Sequence, residues 1–254
     1  MILQESLPYD ALTERALPGI QPMDPQHWLQ VDDAYGAQMQ ERARLIAERP
    51  RDVLYLDEAV RPAAEELFDT VIGALPQGFL REGDAVIRPD GIRLTPDRSD
   101  PMRALGLLVQ EDLVLMIREA GETEHRLRAA VLCFPSRWRL REKAGRALVS
   151  IHDPVARYGA DVAKRVQRLF DGVQPGRPLW RYNGLWHDDA SLYQPQPEQA
   201  QIGTAEDPDR APFFRTERQG IVRLPVTRAV VFSIHTYVLT RARIEALQST
   251  RITA

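Results

Sequence analysis

Residues 226–238, VTRAVVFSIHTYV, form the run on which the fold reading turns. β-branched and aromatic side chains dominate it, so it is the strongest strand candidate in the chain. Its apolar stretch, Ala229–Ile234, is far too short to span a bilayer. Upstream, Leu127–Phe134 is a second β-rich run, stopped by Pro135, and Arg177–Trp186 is a further strand candidate. Two hairpins are predicted between the ends. Asp84–Ile87 and Ile92–Thr95 flank Pro89-Asp90-Gly91, where Asp-Gly accepts positive φ. Leu105–Val109 and Leu113–Ile117 flank Gln110-Glu111-Asp112, read as the turn of the second.

Helical periodicity surrounds these strands. Gln26 to Glu48 reads as a helix ended by Pro50, and Arg61 to Ala74 as another, with Pro62 in its first turn. Val162, Val166, Leu169 and Phe170 place one apolar face on a helix over Asp161–Phe170, and Arg241–Gln248 closes the chain with a short one. Gln194–Pro212, with four prolines, reads as a long loop or lid. The prolines at 8, 18, 22 and 25 make residues 1–27 an extended arm, leaving 28–254 as a single domain. Helices around a run of antiparallel hairpins give an α+β fold. There is no βαβ rhythm and no Gly-rich phosphate loop, so nucleotide cofactors held that way are not supported.

Composition narrows the function classes. The chain has 254 residues with 44% hydrophobic and 27% charged, ordinary for a globular protein. A net charge of −3 offers no basic field for a phosphate backbone, so no nucleic-acid partner is expected. The single cysteine, Cys133, excludes an intramolecular disulfide and a Cys-rich metal site; in an apolar strand it reads as structural. No basic start precedes an apolar run at the N-terminus, which points to a cytoplasmic protein with no membrane partner. Arginine greatly outnumbers lysine, whose only positions are Lys143 and Lys164.

Three groups of residues could carry chemistry. His27 and His125 lie in polar surroundings and read as surface residues. His152, in Ser150-Ile151-His152-Asp153-Pro154-Val155, sits at a helix boundary oriented by apolar neighbours. That suits an axial metal ligand, or equally a histidine against a helix C-terminus. His187-Asp188-Asp189 with His235 has the order of a two-His-one-carboxylate site for non-haem Fe(II), though a hydrogen-bonded histidine on a sheet face is the plainer reading of His235. Arg215-Thr216-Glu217-Arg218-Gln219 is a dense polar cluster beside a buried strand. It either binds a polar ligand or forms a solvated hairpin shoulder.

Taken together, several segments resemble the haem-dependent oxidative N-demethylase alpha-subunit family, from about Trp28 onward. They are Trp28-Leu29-Gln30-Val31-Asp32 with Tyr35; Leu132-Cys133-Phe134-Pro135-Ser136-Arg137-Trp138; Glu142-Lys143-Ala144-Gly145-Arg146; and Ile151-His152-Asp153-Pro154-Val155. Further along come Arg181-Tyr182-Asn183, Glu217-Arg218-Gln219, Arg223-Leu224-Pro225 and residues 231–237. The resemblance implies a haem-binding PAS-like fold and a monooxygenase-type activity on a small secondary amine, with dioxygen as co-substrate and formaldehyde released. It implies haem b, with electrons from separate flavin and iron–sulfur reductase subunits. Under it His152 becomes the iron ligand and Glu217 the carboxylate facing the amine. Arg218 and Arg223 become partners of the haem propionates, and Asn183 a polar contact in the pocket. Two other readings stay open: a non-catalytic PAS-type sensor binding haem or another ligand, and a non-haem Fe(II) oxygenase using His187, Asp189 and His235.

Overall fold

Residues 230–238 of the predicted strand lie in the second arm of a long antiparallel hairpin, whereas 226–229 lie in the turn before it. The computed structural model describes residues 1–13, 16–152, 160–198, 200 and 203–252. In chain order the elements are β1 (Gln21–Pro22), α1 (Tyr35–Glu48), α2 (Pro50–Val53), β2 (Leu54–Leu56), α3 (Arg61–Gly73), β3 (Leu80–Glu82), β4 (Ala85–Ile87) and β5 (Arg93–Leu94). They continue with α4 (Pro101–Gly106), β6 (Asp112–Ile117), β7 (Arg126–Val131), α5 (Leu140–Lys143) and α6 (Leu148–His152). The last are α7 (Ala160–Gly172), β8 (Leu179–His187), β9 (Phe213–Arg223), β10 (Val230–Thr240) and α8 (Arg241–Ile252). The fold is α+β. A seven-stranded antiparallel sheet has the order β1-β8-β9-β10-β6-β7-β2, and β3-β4-β5 form a separate small sheet.

In an antiparallel ladder, directly paired residues share a face and neighbours along a strand alternate. Pairs such as Arg181↔Gln219, Asn183↔Glu217 and Glu217↔Thr236 therefore assign one face to the odd-numbered residues of β9. Leu148, Phe170 and Val173 pack there against Ile221, Val230 and Ile234, so α6 and α7 cover that face at one end. On the opposite face Leu113, Leu115, Ala129, Val131 and Val231 meet Leu45 of α1, Leu67 and Val71 of α3 and Leu105 of α4. Each fully buried leucine contributes roughly 1.5–3 kcal/mol. Pairing of β6 with β10 stops at Ile234. Gln4 takes over the vacant edge beyond it: its amide donates to the Thr236 carbonyl (3.1 Å) and accepts from Val238 N (2.8 Å).

Two sequence expectations change. Leu105–Val109 is not a hairpin arm: Pro101 starts a helix over Pro101–Gly106, and β6 pairs with β10 and β7 instead. The α-helix expected from Gln26 begins only at Tyr35, because Asp32 accepts from Ala34 N (2.9 Å) and closes a local turn before it. The supposed turn Gln110-Glu111-Asp112 is about 1% exposed at each residue. Arg42 of α1 explains why. Its Nε donates to the Gly106 carbonyl (3.0 Å), Nη1 to Gln110 O (3.1 Å) and to Asp112 Oδ1 (2.7 Å), and Nη2 to Glu111 O (2.9 Å). Asp112 in turn accepts from the backbone N–H groups of Cys133 (2.7 Å) and Phe134 (2.9 Å). Replacing Arg42 by Met is expected to cost about 3–5 kcal/mol, because a carboxylate and three carbonyls lose their donor in the core. Urea unfolding followed by circular dichroism measures this; a loss under 1 kcal/mol would contradict it.

Candidate functional site

Glu217 stands in the middle of β9, on the face that α6 and α7 cover at one end. Asn183 of β8 and Thr236 of β10 are its cross-strand partners. Asn183 Nδ2 donates to Glu217 Oε2 (3.1 Å), and the Glu217 backbone N–H donates back to Asn183 Oδ1 (3.1 Å). Gln219 Nε2 donates to the same carboxylate oxygen (3.1 Å), while Arg215 Nη2 lies 3.5 Å from the other. Arg215 is itself fixed from outside the sheet, donating to the carbonyls of Leu192 (2.9 Å) and Phe134 (2.6 Å). Arg181 completes the group through a bond from Nη1 to Gln219 Oε1 (3.0 Å). Burial lowers the basicity of both arginines, and the Glu217 charge opposes that shift.

Polar satisfaction is incomplete here. Arg181 Nε, Arg215 Nε and Thr236 Oγ1 are buried side-chain atoms without a hydrogen-bond partner among the described residues, and all three residues lie on this face around Glu217. Buried polar atoms left unpaired are costly, and the gathering of three of the six found among the described residues on this face makes it a candidate site. Beside the polar group lies an apolar shelf. Leu179, Phe232, Trp138, Ile151 and Val166 pack against the core of this face, yet each remains only half-buried. The site thus joins an unfinished apolar surface to a cluster of donors around one carboxylate.

The sequence-predicted residues fall unevenly on this frame. Asn183 and Glu217 are brought into direct contact. Arg218 projects to the opposite face, where Nη2 donates to the His27 carbonyl (2.7 Å) and Nη1 to that of Trp28 (3.2 Å), and it stacks on Trp180. Arg223 closes the C-terminus of α7, donating to the carbonyls of Val173 (3.1 Å), Asp171 (3.2 Å) and Phe170. His152 is the last residue of α6, next to Ile151 of the apolar shelf; its side chain lies outside the described residues. Arg215 and Gln219 belonged to the cluster noted in the sequence, but Arg181 and Thr236 had no role there. No hydrophobic alternation could have found them, because β9 carries polar residues on both faces in its middle and Arg181 and Thr236 reach Glu217 only through cross-strand pairing.

The non-haem iron arrangement is not assembled. His187 pairs with Phe213 and His235 with Arg218, so the two histidines occupy opposite faces of the sheet. Both ring nitrogens of His235 are already used, Nδ1 with Glu111 (3.0 Å) and Nε2 with Asp32 (3.1 Å). Among the described residues no group of three or more His, Cys, Asp or Glu could hold a metal ion. His125, read as a surface residue, is buried against Phe170, with Nδ1 bonded by Gln167 (3.0 Å). Cys133 is the buried structural thiol expected, its pKa pushed up by burial to about 12.

The model of the family described as haem-dependent oxidative N-demethylase, alpha subunit-like, matches residues 19–252. The chain belongs to that family. No helix among the described residues is long and apolar enough to cross a membrane.

His235 yields a pH prediction. Burial opposes its charge, but bonds to Asp32 and Glu111 overcome this and raise its pKa from 6.5 to about 9. A histidine raised in this way adds stability that is complete below about pH 6.5 and lost as pH rises through about 9. The urea midpoint should therefore fall across that window, and His235→Gln should flatten the fall while lowering stability at pH 6. A midpoint equally pH-dependent in the variant would refute the assignment.

Proposed function

We propose that this member of the family is a haem-dependent oxidoreductase that removes a methyl group from a small secondary amine, with dioxygen consumed and formaldehyde released. The observation that carries the reading is the junction on one sheet face. An incomplete apolar shelf reaches Ile151 of α6, and beside it unpaired buried donors surround Glu217. A haem has a flat apolar macrocycle and two anionic arms, so its chemistry fits such a junction. Haem b, when bound, supplies the iron chemistry that activates dioxygen. His152, the residue after Ile151, is the proposed iron ligand.

The remaining work belongs to the chain. Asn183 and Gln219 aim two amide donors at one Glu217 oxygen and fix the carboxylate in one orientation. That leaves Glu217 placed to receive the N–H of a bound amine and to hold its N-methyl group in a set direction. Half-buried Leu179 and Phe232 would wall the amine's methyl carbons and exclude water. One buried cysteine supplies too few thiolates for an iron–sulfur cluster, and the sequence carries no Gly-rich phosphate loop of the kind that holds a flavin nucleotide. Electrons are therefore proposed to come from partner subunits carrying those centres, in keeping with an alpha-subunit relationship.

The test begins with the absorption spectrum of protein from haem-replete cells. A Soret band that His152→Ala shifts or abolishes supports the reading. A colourless protein that haemin cannot reconstitute removes it. Glu217→Ala should keep its haem yet release formaldehyde from dimethylamine about 100-fold more slowly with a chemical reductant. Unchanged release would move Glu217 out of the reaction, and release absent from every amine would favour a non-catalytic haem-binding sensor.

A further inference from the structure

Four arginines on β8 and β9 are candidates to hold an anion: Arg181, Arg215, Arg218 and Arg223. Their donors are not equally available. Arg218 spends its two terminal nitrogens on the His27 and Trp28 carbonyls. Arg223 spends all three nitrogens on carbonyls of Phe170, Asp171, Val173 and Arg228. Arg215 also has an unpaired Nε, but both its terminal nitrogens are committed, to Leu192, Phe134 and the Glu217 carboxylate. Among the described residues Arg181 makes a single side-chain hydrogen bond, to Gln219, and its buried Nε has no partner. No carboxylate among the described residues forms an ion pair with it within 4.0 Å, although desolvation works against its charge.

Its position gives the missing partner a chemical class. On the same face of β8, Leu179 precedes Arg181 and Asn183 follows it. Leu179 belongs to the apolar shelf, whereas Asn183 belongs to the Glu217 group. Arg181 therefore stands on the boundary between apolar surface and polar cluster. A flat amphipathic ligand lying on the shelf would present its carboxylate edge at that boundary, where a guanidinium fork can grip it in bidentate fashion.

We propose that Arg181, in place of Arg218 or Arg223, binds a propionate of the haem. This rests on the haem-binding reading above. The pairing supplies an acceptor to the orphaned guanidinium and leaves the structural arginines on their carbonyls. The propionate, in turn, fixes which edge of the macrocycle faces the Glu217 group.

Two ligands and three proteins test it. Apo-protein is titrated with haemin and with haemin dimethyl ester, whose propionates carry no charge, and binding is followed by absorbance. Wild type should bind the ester about tenfold more weakly than haemin. Arg181→Ala should bind haemin about as weakly as wild type binds the ester, and should no longer distinguish the two ligands. Arg177→Ala, an exposed neighbour, should behave as wild type. If Arg181→Ala retains wild-type affinity and wild-type discrimination, the assignment is overturned while haem binding stands. If wild type binds neither ligand, the haem reading itself has failed. The wild-type comparison needs no variant: should Arg181→Ala not fold, equal affinity of wild type for the two ligands still overturns the proposal.

Discussion

The buried guanidinium of Arg42 is the constraint from which the rest of the structure follows. It draws the carbonyls of Gly106, Gln110 and Glu111 and the carboxylate of Asp112 onto one planar fork. Asp112 then captures the N–H groups of Cys133 and Phe134. Three segments distant in sequence are thereby locked at the start of β6, an interior strand between β10 and β7. β6 sets the register of β10, and β10 sets that of β9, so the row holding Glu217 inherits its position from this knot. Neighbouring residues extend it: Gln110 bonds Asp32 and Gln38, and Glu111 bonds His235. A buried network that links so many distant residues specifies one arrangement, since any slip leaves charges unpaired.

The two faces of the sheet divide the work. One is closed by α1, α3, α4 and the N-terminal segment, with Trp28 bonded to Ser233 across it. The other is covered by α6 and α7 at one end and by the Phe134 and Leu192 loops over Arg215, and among the described residues it keeps a half-buried apolar shelf beside a group of unsatisfied polar atoms. Arginines serve both faces. Arg42, Arg215, Arg218 and Arg223 each donate to two or more main-chain carbonyls. A planar fork with several fixed donors can do this, whereas an ammonium group is a compact point charge. Much of the arginine bias thus has a structural use in joining loops and helix ends to the sheet.

Residues that hydrogen-bond locally or follow a strict period were legible from the start. The Asp90-Gly91 hairpin, the helices beginning at Arg61 and near Asp161, and the strands ending in residues 230–240 all carry their own signals. β9 was hidden for a physical reason. Its inward-facing residues Arg215, Glu217 and Gln219 are polar, so the hydrophobic alternation that reveals a half-buried strand is absent. Gln110-Glu111-Asp112 looked like a turn for the same reason, since charge in sequence reads as exposure until a partner is known.

By itself, then, the sequence determined the α+β class and the family to which the chain belongs, whereas the contact between Asn183 and Glu217 comes from the pairing of β8 with β9. Only the tertiary structure decided how the arginines are used. Whether a guanidinium is spent on carbonyls, as in Arg218 and Arg223, or left with a buried donor unmatched, as in Arg181, depends on contacts between distant segments. The same holds for His235, whose proton is held by Asp32 and Glu111 from elsewhere in the chain. Sequence reports which donors and charges a chain carries; folding decides which of them find partners and which are left for a ligand.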